Sequence, residues 1–428
     1  MQAGLAVFFG LVAVYAVFAL WLGRFSVTMP VIFVAVGALL GAQALRLLDL
    51  SATSKDIETL TEITLALLLF ADAASLHFRQ VRDDAGLPGR LLVIAMPLVI
   101  ALGGLAAFGL FPKEGIGFAL LLGAILAPTD AALGLPIYNN PRVPVRIRRA
   151  LNVESGLNDG IATPFVALFT ALAVAEETHK LGGWLASALA EIGTAVGVGA
   201  AVGLLGGWLF ARAVKGRWTS KGTEQIGNLA LALCAYFGSA ALGGNGFIAA
   251  FVGGLLFGYA TRDHLHEATE FTETSGTLLS LFVWAAFGAN LVIPLFDMFN
   301  PLALLYGLLS LTLIRMLPVA IALIGTHMRS DTVLMMGWLG PRGLASVVFT
   351  LMAFESFHEA GRPHEMMFAM AGWTILLSVV LHGFSAVPLA SWYARRLETA
   401  DPEAPELLDV PELRTRRGRS LSLPHIGR

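Results

Sequence analysis

Apolar stretches of membrane-crossing length recur along this chain from end to end, and they limit its fold more than any other feature. A bilayer core about 30 Å thick asks for roughly 20 apolar residues in a helix, because lipid offers no partner to an unpaired backbone amide. Such stretches lie near 4–23, 27–48, 57–78, 90–110, 115–137, 150–174, 184–214, 223–242, 245–260, 274–297, 300–326, 331–355 and 365–394. The expected fold class is an all-α polytopic membrane protein with about 13 transmembrane helices. The 184–214 stretch is long enough to be tilted or kinked. Composition agrees: 14% of the 428 residues are charged, against about 25% in a soluble domain. The one cysteine, Cys234, lies in an apolar run, which excludes a disulfide framework and a thiol metal site. The first 24 residues lack a basic leader and end at Arg24, so they read as a retained first span rather than a cleaved signal.

An odd number of spans puts the termini on opposite sides. With loops assigned alternately, 21 of the 28 Lys and Arg residues fall on the side of the C-terminal tail. They include Arg24, Arg79, Arg82, Arg142, Arg146, Arg148, Arg149, Arg212 and Arg262. Only Arg46, Lys55, Lys113, Lys180 and Arg362 fall on the other, and Arg315 and Arg342 lie inside spans. Cytoplasmic loops carry the positive excess, so the tail is expected inside and the N-terminus outside. Residues 396–428, rich in Pro, Glu and Arg, read as a short disordered cytoplasmic tail. Trp21, Trp184, Trp218 and Trp392 near span ends fit aromatic belts.

Two spans are interrupted. "GIGFALLLGAILAPTDAALGLPI" (115–137) carries Pro128 between Gly123 and Gly134, and "DTVLMMGWLGPRGLASVVFTLMAFE" (331–355) carries Gly340, Pro341 and Gly343 around Arg342. Proline removes a helix donor and clashes with the preceding turn. The freed backbone groups are tolerable at membrane depth only beside a cavity or an ion. The first break lies in the fifth span, and the second lies in the fifth span after a central seventh. Six spans, one linker and six more give two inverted repeats, and matched broken helices in such repeats point to a transport site at the midplane.

The ionisable residues inside spans are Asp72, Asp130, Glu154, Asp159, Arg315 and Arg342. Each charge at the bilayer centre costs at least about 2.5–3.5 kcal/mol, so they are expected to converge. In "LNVESGLNDG" (151–160), Ser155 and Asp159 share one helix face, while Glu154 and Asn158 share another turned by about 100°. One face can present an acid and a hydroxyl to an ion, and the other can present Glu154 to a buried arginine. Gly156 and Gly160 allow close approach of another helix, expected to be the broken one bearing Thr129 and Asp130. Oxygens without a His or Cys cluster suit a hard cation, and a monovalent one best, since a transporter must release it. Burial disfavours the charged carboxylate, so Asp159 can hold either a proton or a cation, and competition for one site couples the two fluxes. Asp72, in "LLLFADAASL", is expected either to line the cation path or simply to sit at the interface.

"GAILAPTDAALG", followed by "NNPRVPVRIRRALNVESGLNDGIATPF", together with "GPRG" at 340–343, resembles the NhaP-type sodium/proton antiporters of the monovalent cation–proton antiporter superfamily. The resemblance covers about residues 1–395. It implies Na⁺/H⁺ exchange, with K⁺ or Li⁺ as alternative cargo, in a bacterial inner (plasma) membrane. It also implies a homodimer in membrane lipid. A dimer part (about 1–80 and 223–298) would flank a mobile core (about 90–174 and 300–394), joined by a linker helix at about 184–214. The family's Asn-Asp falls on Asn158 and Asp159, with Asp159 as the carrier, and its Thr-Asp on Thr129 and Asp130. Ser155 completes the implied Na⁺ ligands Asp159, Asp130 and Thr129. The family's Glu falls on Glu154, with Arg342 as the implied partner and Arg315 as the alternative. An Asn-Asp pair resembles the electroneutral branch, one proton per cation. Asp72 falls in a similar "F-x-D-A" stretch.

His77, His264, His266, His327, His358 and His364 lie in loops or at span ends, where they read mostly as interfacial residues. No phosphate-binding glycine motif and no Ser-His-Asp arrangement is present, so neither an enzyme activity, a cofactor nor a nucleic-acid partner is expected. A cation channel, an intramembrane aspartyl protease using Asp130 and Asp159, and a Na⁺-coupled organic-solute symporter are the rival readings.

Overall fold

The computed structural model describes residues 2–23, 28–41, 44–45, 55–76, 86–138, 140–261, 266–361, 365–399, 401, 403–408 and 410. Arg24, Arg46, Arg79, Arg82, Arg262, Arg362, His77, His264, His364 and tail residues 411–428 lie outside the described residues.

Among the described residues, the helices follow one another in thirteen columns, close to where the apolar stretches predict them. The first four are α1 (Gln2–Gly23), α2 (Met29–Leu40), α3 (Lys55–Ala74) and α4 (Gly86–Leu110). The fifth is split into α5a (Gly115–Ile125) and α5b (Ala131–Tyr138). Then come α6 (Val145–Glu177), α7 (Trp184–Gly216), α8 (Lys221–Ala241) and α9 (Gly246–Thr261). α10 runs from His266–Phe287 through a π-helical turn, Gly288–Val292, into Ile293–Asp297. α11 (Pro301–Ala322) is interrupted at Thr312, α12 is split into α12a (Ser330–Trp338) and α12b (Leu344–Glu359), and α13 is Glu365–Leu397. Among the described residues, six of these helices are long and apolar enough to cross a membrane, and shorter apolar helices accompany them.

Local chemistry sets several boundaries. Ser220 and Thr223 form a reciprocal capping box that starts α8. The Asn245 side chain accepts from the amides of Phe247 and Ile248 at the start of α9, and Asn300 accepts from Leu302 at the start of α11. The 184–214 stretch forms one continuous helix of 33 residues. α7 lies against α9 where the Gly203 Cα meets the Gly253 backbone, so that any Cβ there would collide. Its other face exposes Leu204, Leu205, Trp208 and Leu209, an apolar surface suited to lipid. Arg212 lies over the Trp218 ring and Arg396 over Trp392, each pairing a basic group with an aromatic at a helix end.

The tail differs from expectation at its start. α13 runs on to Leu397, and Pro405–Leu407 forms a 3-10 turn packed against the helix ends of α6 and α12a. Arg146 donates to the Pro405 carbonyl at 2.7 Å. Glu406 is fully buried, and its Oε1 accepts from the Arg329 amide and the Thr332 hydroxyl, both at 2.7 Å. Composition argues for disorder here, but a carboxylate over the amides that open α12a gives this short segment a specific anchor.

Candidate functional site

The two interrupted columns meet at their breaks, and each supplies what the other lacks. The Asp130 amide donates to the Pro341 carbonyl at 2.7 Å. The Asp130 carboxylate accepts from Ala132 N at 2.6 Å and from Leu344 N at 3.3 Å. One acid thereby caps the N-termini of both α5b and α12b, where orphan amides concentrate positive partial charge. Arg342 serves the opposite pole. Its guanidinium donates to the Ala127 carbonyl at 3.1 Å, just beyond α5a, and to the Ser310 carbonyl at 2.9 Å, where α11 is interrupted. Ser346 Oγ donates to the Ile125 carbonyl. Gly343 lies so close to Asp130 that a Cβ would overlap the aspartate side chain.

This corrects the expected partner of Glu154. Arg342 is engaged with carbonyls freed by the breaks, and Arg315 pairs with Glu154 at 2.6 Å. Both members of that pair are buried, 1–2% exposed. The choice follows from geometry: Gly340 leaves room for the Arg315 stem to pass, whereas the Arg342 guanidinium is turned to the break.

Ser155 and Asn158 of α6, expected on different faces, both meet Thr129. Ser155 Oγ lies 3.1 Å from both Thr129 Oγ1 and the Tyr138 hydroxyl, and Asn158 Nδ2 donates to Thr129 Oγ1 at 2.6 Å. The result is a buried chain, Asn158–Thr129–Ser155–Tyr138, that joins α6 to the first break. Asp159 is half-buried and lines a cavity of about 80 Å³ together with Asp72, Asp130 and Ser155. That is room for several water-sized occupants at about 10–15 Å³ each. One wall of the cavity is α3 and α10; the other is α5b, α6 and α12b. Gly160, by contrast, faces the Phe251 ring of α9 rather than the broken helix. α6 still packs closely along α5a, where a Cβ on Gly117 would meet the Ala173 backbone.

Sequence reasoning missed Tyr138, Glu273 and His382. Tyr138 and Glu273 line the cavity or its polar chain. Glu273 sits one residue before the apolar stretch assigned from 274, but it lies two turns before Ser280, another lining residue, and that spacing was the available signal. His382 is buried in α13 behind the second break. Its signal was the i, i+4, i+7 pattern of Ser378, His382 and Ser385 in an otherwise apolar span.

The family model for the transmembrane sodium/hydrogen exchanger matches residues 10–392. The chain belongs to this exchanger family. Its members are transporters rather than enzymes. Among its relatives, the K⁺/H⁺ antiporter NhaP of Alkalimonas amylolytica is 27% identical over 90% of this chain and 65% of that protein. The Na⁺/H⁺ antiporter of Schizosaccharomyces pombe is 25% identical over 83% of each. The chain thus spans about 65% of the length of the first of these exchangers. The sodium proton antiporter MjNhaP1 from Methanocaldococcus jannaschii superposes with a TM-score of 0.73 at 19% identity, over 89% of this chain and 99% of that one. The exchanger fold is therefore shared where little sequence is.

Proposed function

We propose that this protein is a secondary-active monovalent cation/proton antiporter, exchanging Na⁺ for H⁺ with K⁺ and Li⁺ as competing cargo. The observation that carries this reading is Asp159 lining a cavity beside the hydroxyl and carboxylate oxygens of Ser155 and Asp130, at the crossing of two broken helices. A carboxylate with neutral oxygens suits a hard monovalent cation that must also leave. The same carboxylate can take a proton instead, so proton and cation compete for one site. Thr129 and Ser155 supply uncharged oxygens, and Asn158 fixes Thr129.

Charge accounting favours one proton per cation. Glu154 is neutralised by Arg315, and the Asp130 carboxylate accepts from two helix N-termini. Asn158, beside Asp159, carries no charge. With Asp159 as the single carrier, exchange is electroneutral. Asp72, on the facing wall, lines the path by which the cation reaches it.

The cavity wall supports alternating access by an elevator-like movement. Asp130, Ser155 and Asp159 ride on the core, and α3 and α10 belong to a static dimer part in a homodimer. The setting is a bacterial plasma membrane with the N-terminus outside and the C-terminus cytoplasmic, as the Lys and Arg asymmetry indicates. The test is exchange in everted vesicles with a pH-sensitive dye. Asp159→Asn should abolish cation-driven proton movement while the protein still inserts; retained exchange would reject the assignment. In voltage-clamped proteoliposomes the unaltered protein should carry no current, and Na⁺, K⁺ and Li⁺ offered in turn decide the cargo.

A further inference from the structure

Behind the second break, one face of α13 is polar in an otherwise apolar helix. His382 is 1% exposed and stacks at 5.0 Å against Trp338, the last residue of α12a. Its Nε2 lies 2.9 Å from the Trp338 carbonyl, and its Nδ1 lies 3.1 Å from both Ser378 Oγ and the Ser378 carbonyl. Ser378 Oγ accepts from the Arg342 amide at 2.6 Å, and Trp338 Nε1 donates to Ser385 Oγ at 2.9 Å. A carbonyl only accepts, so the ring donates to Trp338 through Nε2 or to Ser378 through Nδ1. Whichever nitrogen carries the proton, Ser378 lies between Nδ1 and the Arg342 amide, from which its Oγ accepts.

The ring therefore holds both lips of the break, residue 338 on one side and, through Ser378, residue 342 on the other. Between and just beyond them lie the Pro341 carbonyl and the Leu344 amide, two of the groups that hold Asp130. We propose that His382 is a positioning residue of the exchange site: it sets the shape of the α12 break and thereby the placement of Asp130 against the cation. The inference rests on the exchange reading above. It assigns His382 a fixed bridging role through its two ring nitrogens, which a packing role alone would not need.

Three substitutions separate hydrogen bonding from packing. His382→Ala removes ring and bonds, His382→Phe keeps a ring against Trp338 without polar atoms, and His382→Gln keeps an N–H donor at the reach of Nε2. Na⁺-driven proton flux is measured in proteoliposomes at matched inserted protein. Ala and Phe should raise the half-saturating Na⁺ concentration about 5-fold or more with maximal rate kept within about 2-fold, and Gln should restore it to within about 2-fold of the unaltered protein. Ser378→Ala, which cuts the Arg342 arm alone, should shift it in the same direction and keeps the test decisive if His382→Ala fails to insert. An unchanged half-saturating concentration in Ala and Phe, or Phe matching Gln, overturns the proposal, as does a fall in maximal rate alone. An unaltered protein that exchanges alongside such variants sinks this inference only; an unaltered protein with no exchange sinks the antiport reading with it.

Discussion

Two acids on α6, five residues apart, meet opposite surroundings. Glu154 points inward to Arg315 and is shut away from water; Asp159, turned by about 140° on the helix, reaches the cavity. A buried pair gains little net stability, but removing one partner strands the other charge. Glu154→Ala or Arg315→Ala should therefore lower stability by about 3–5 kcal/mol, while replacing both with apolar residues of similar volume should recover most of that loss. Thermal unfolding of the detergent-solubilised protein measures both. A single variant that keeps its unfolding temperature would contradict the pairing.

At the scale of elements, the two broken helices form one electrostatic unit. Asp130 answers the N-termini of α5b and α12b, and Arg342 answers the carbonyls left by α5a and α11. The contact leaves no room at Gly343, so Gly343→Ala should push Asp130 aside and cut exchange at least about 10-fold while the protein still inserts, read as dye-reported flux per inserted molecule. The end of the same unit nearest the C-terminal tail is held by Glu406 over the start of α12a. Glu406→Ala leaves the Arg329 amide and Thr332 hydroxyl without that acceptor and should cost about 1–3 kcal/mol in thermal unfolding. Unaltered unfolding would mean that the tail contact carries no weight.

At the scale of the whole molecule, the cavity lies between walls drawn from different parts of the chain, and Leu68 on α3 and Ala345 on α12b both line it. If one wall must travel past the other, a covalent bridge between them stops transport. With Cys234 first replaced by Ser, Leu68→Cys and Ala345→Cys joined by a reducible bifunctional reagent should lose exchange and regain it on reduction. Exchange that survives full cross-linking would exclude relative movement of the two walls.

The span count, the two breaks and the acids at 130, 154 and 159 were legible from sequence, because lipid allows few solutions: a long apolar run must be helical, and a break or a charge within it must be compensated. The sequence also fixed which α6 residues share a face, since helical spacing is a local property. It did not decide between Arg315 and Arg342 for Glu154, because that depends on where the α11 and α12 breaks aim two long side chains in space. Nor did it reveal the bridge at His382 or the anchor at Glu406, whose partners lie 44 and 77 positions away in the chain. Periodicity registers the face a residue occupies, but only the tertiary structure brings a distant donor or acceptor to that face.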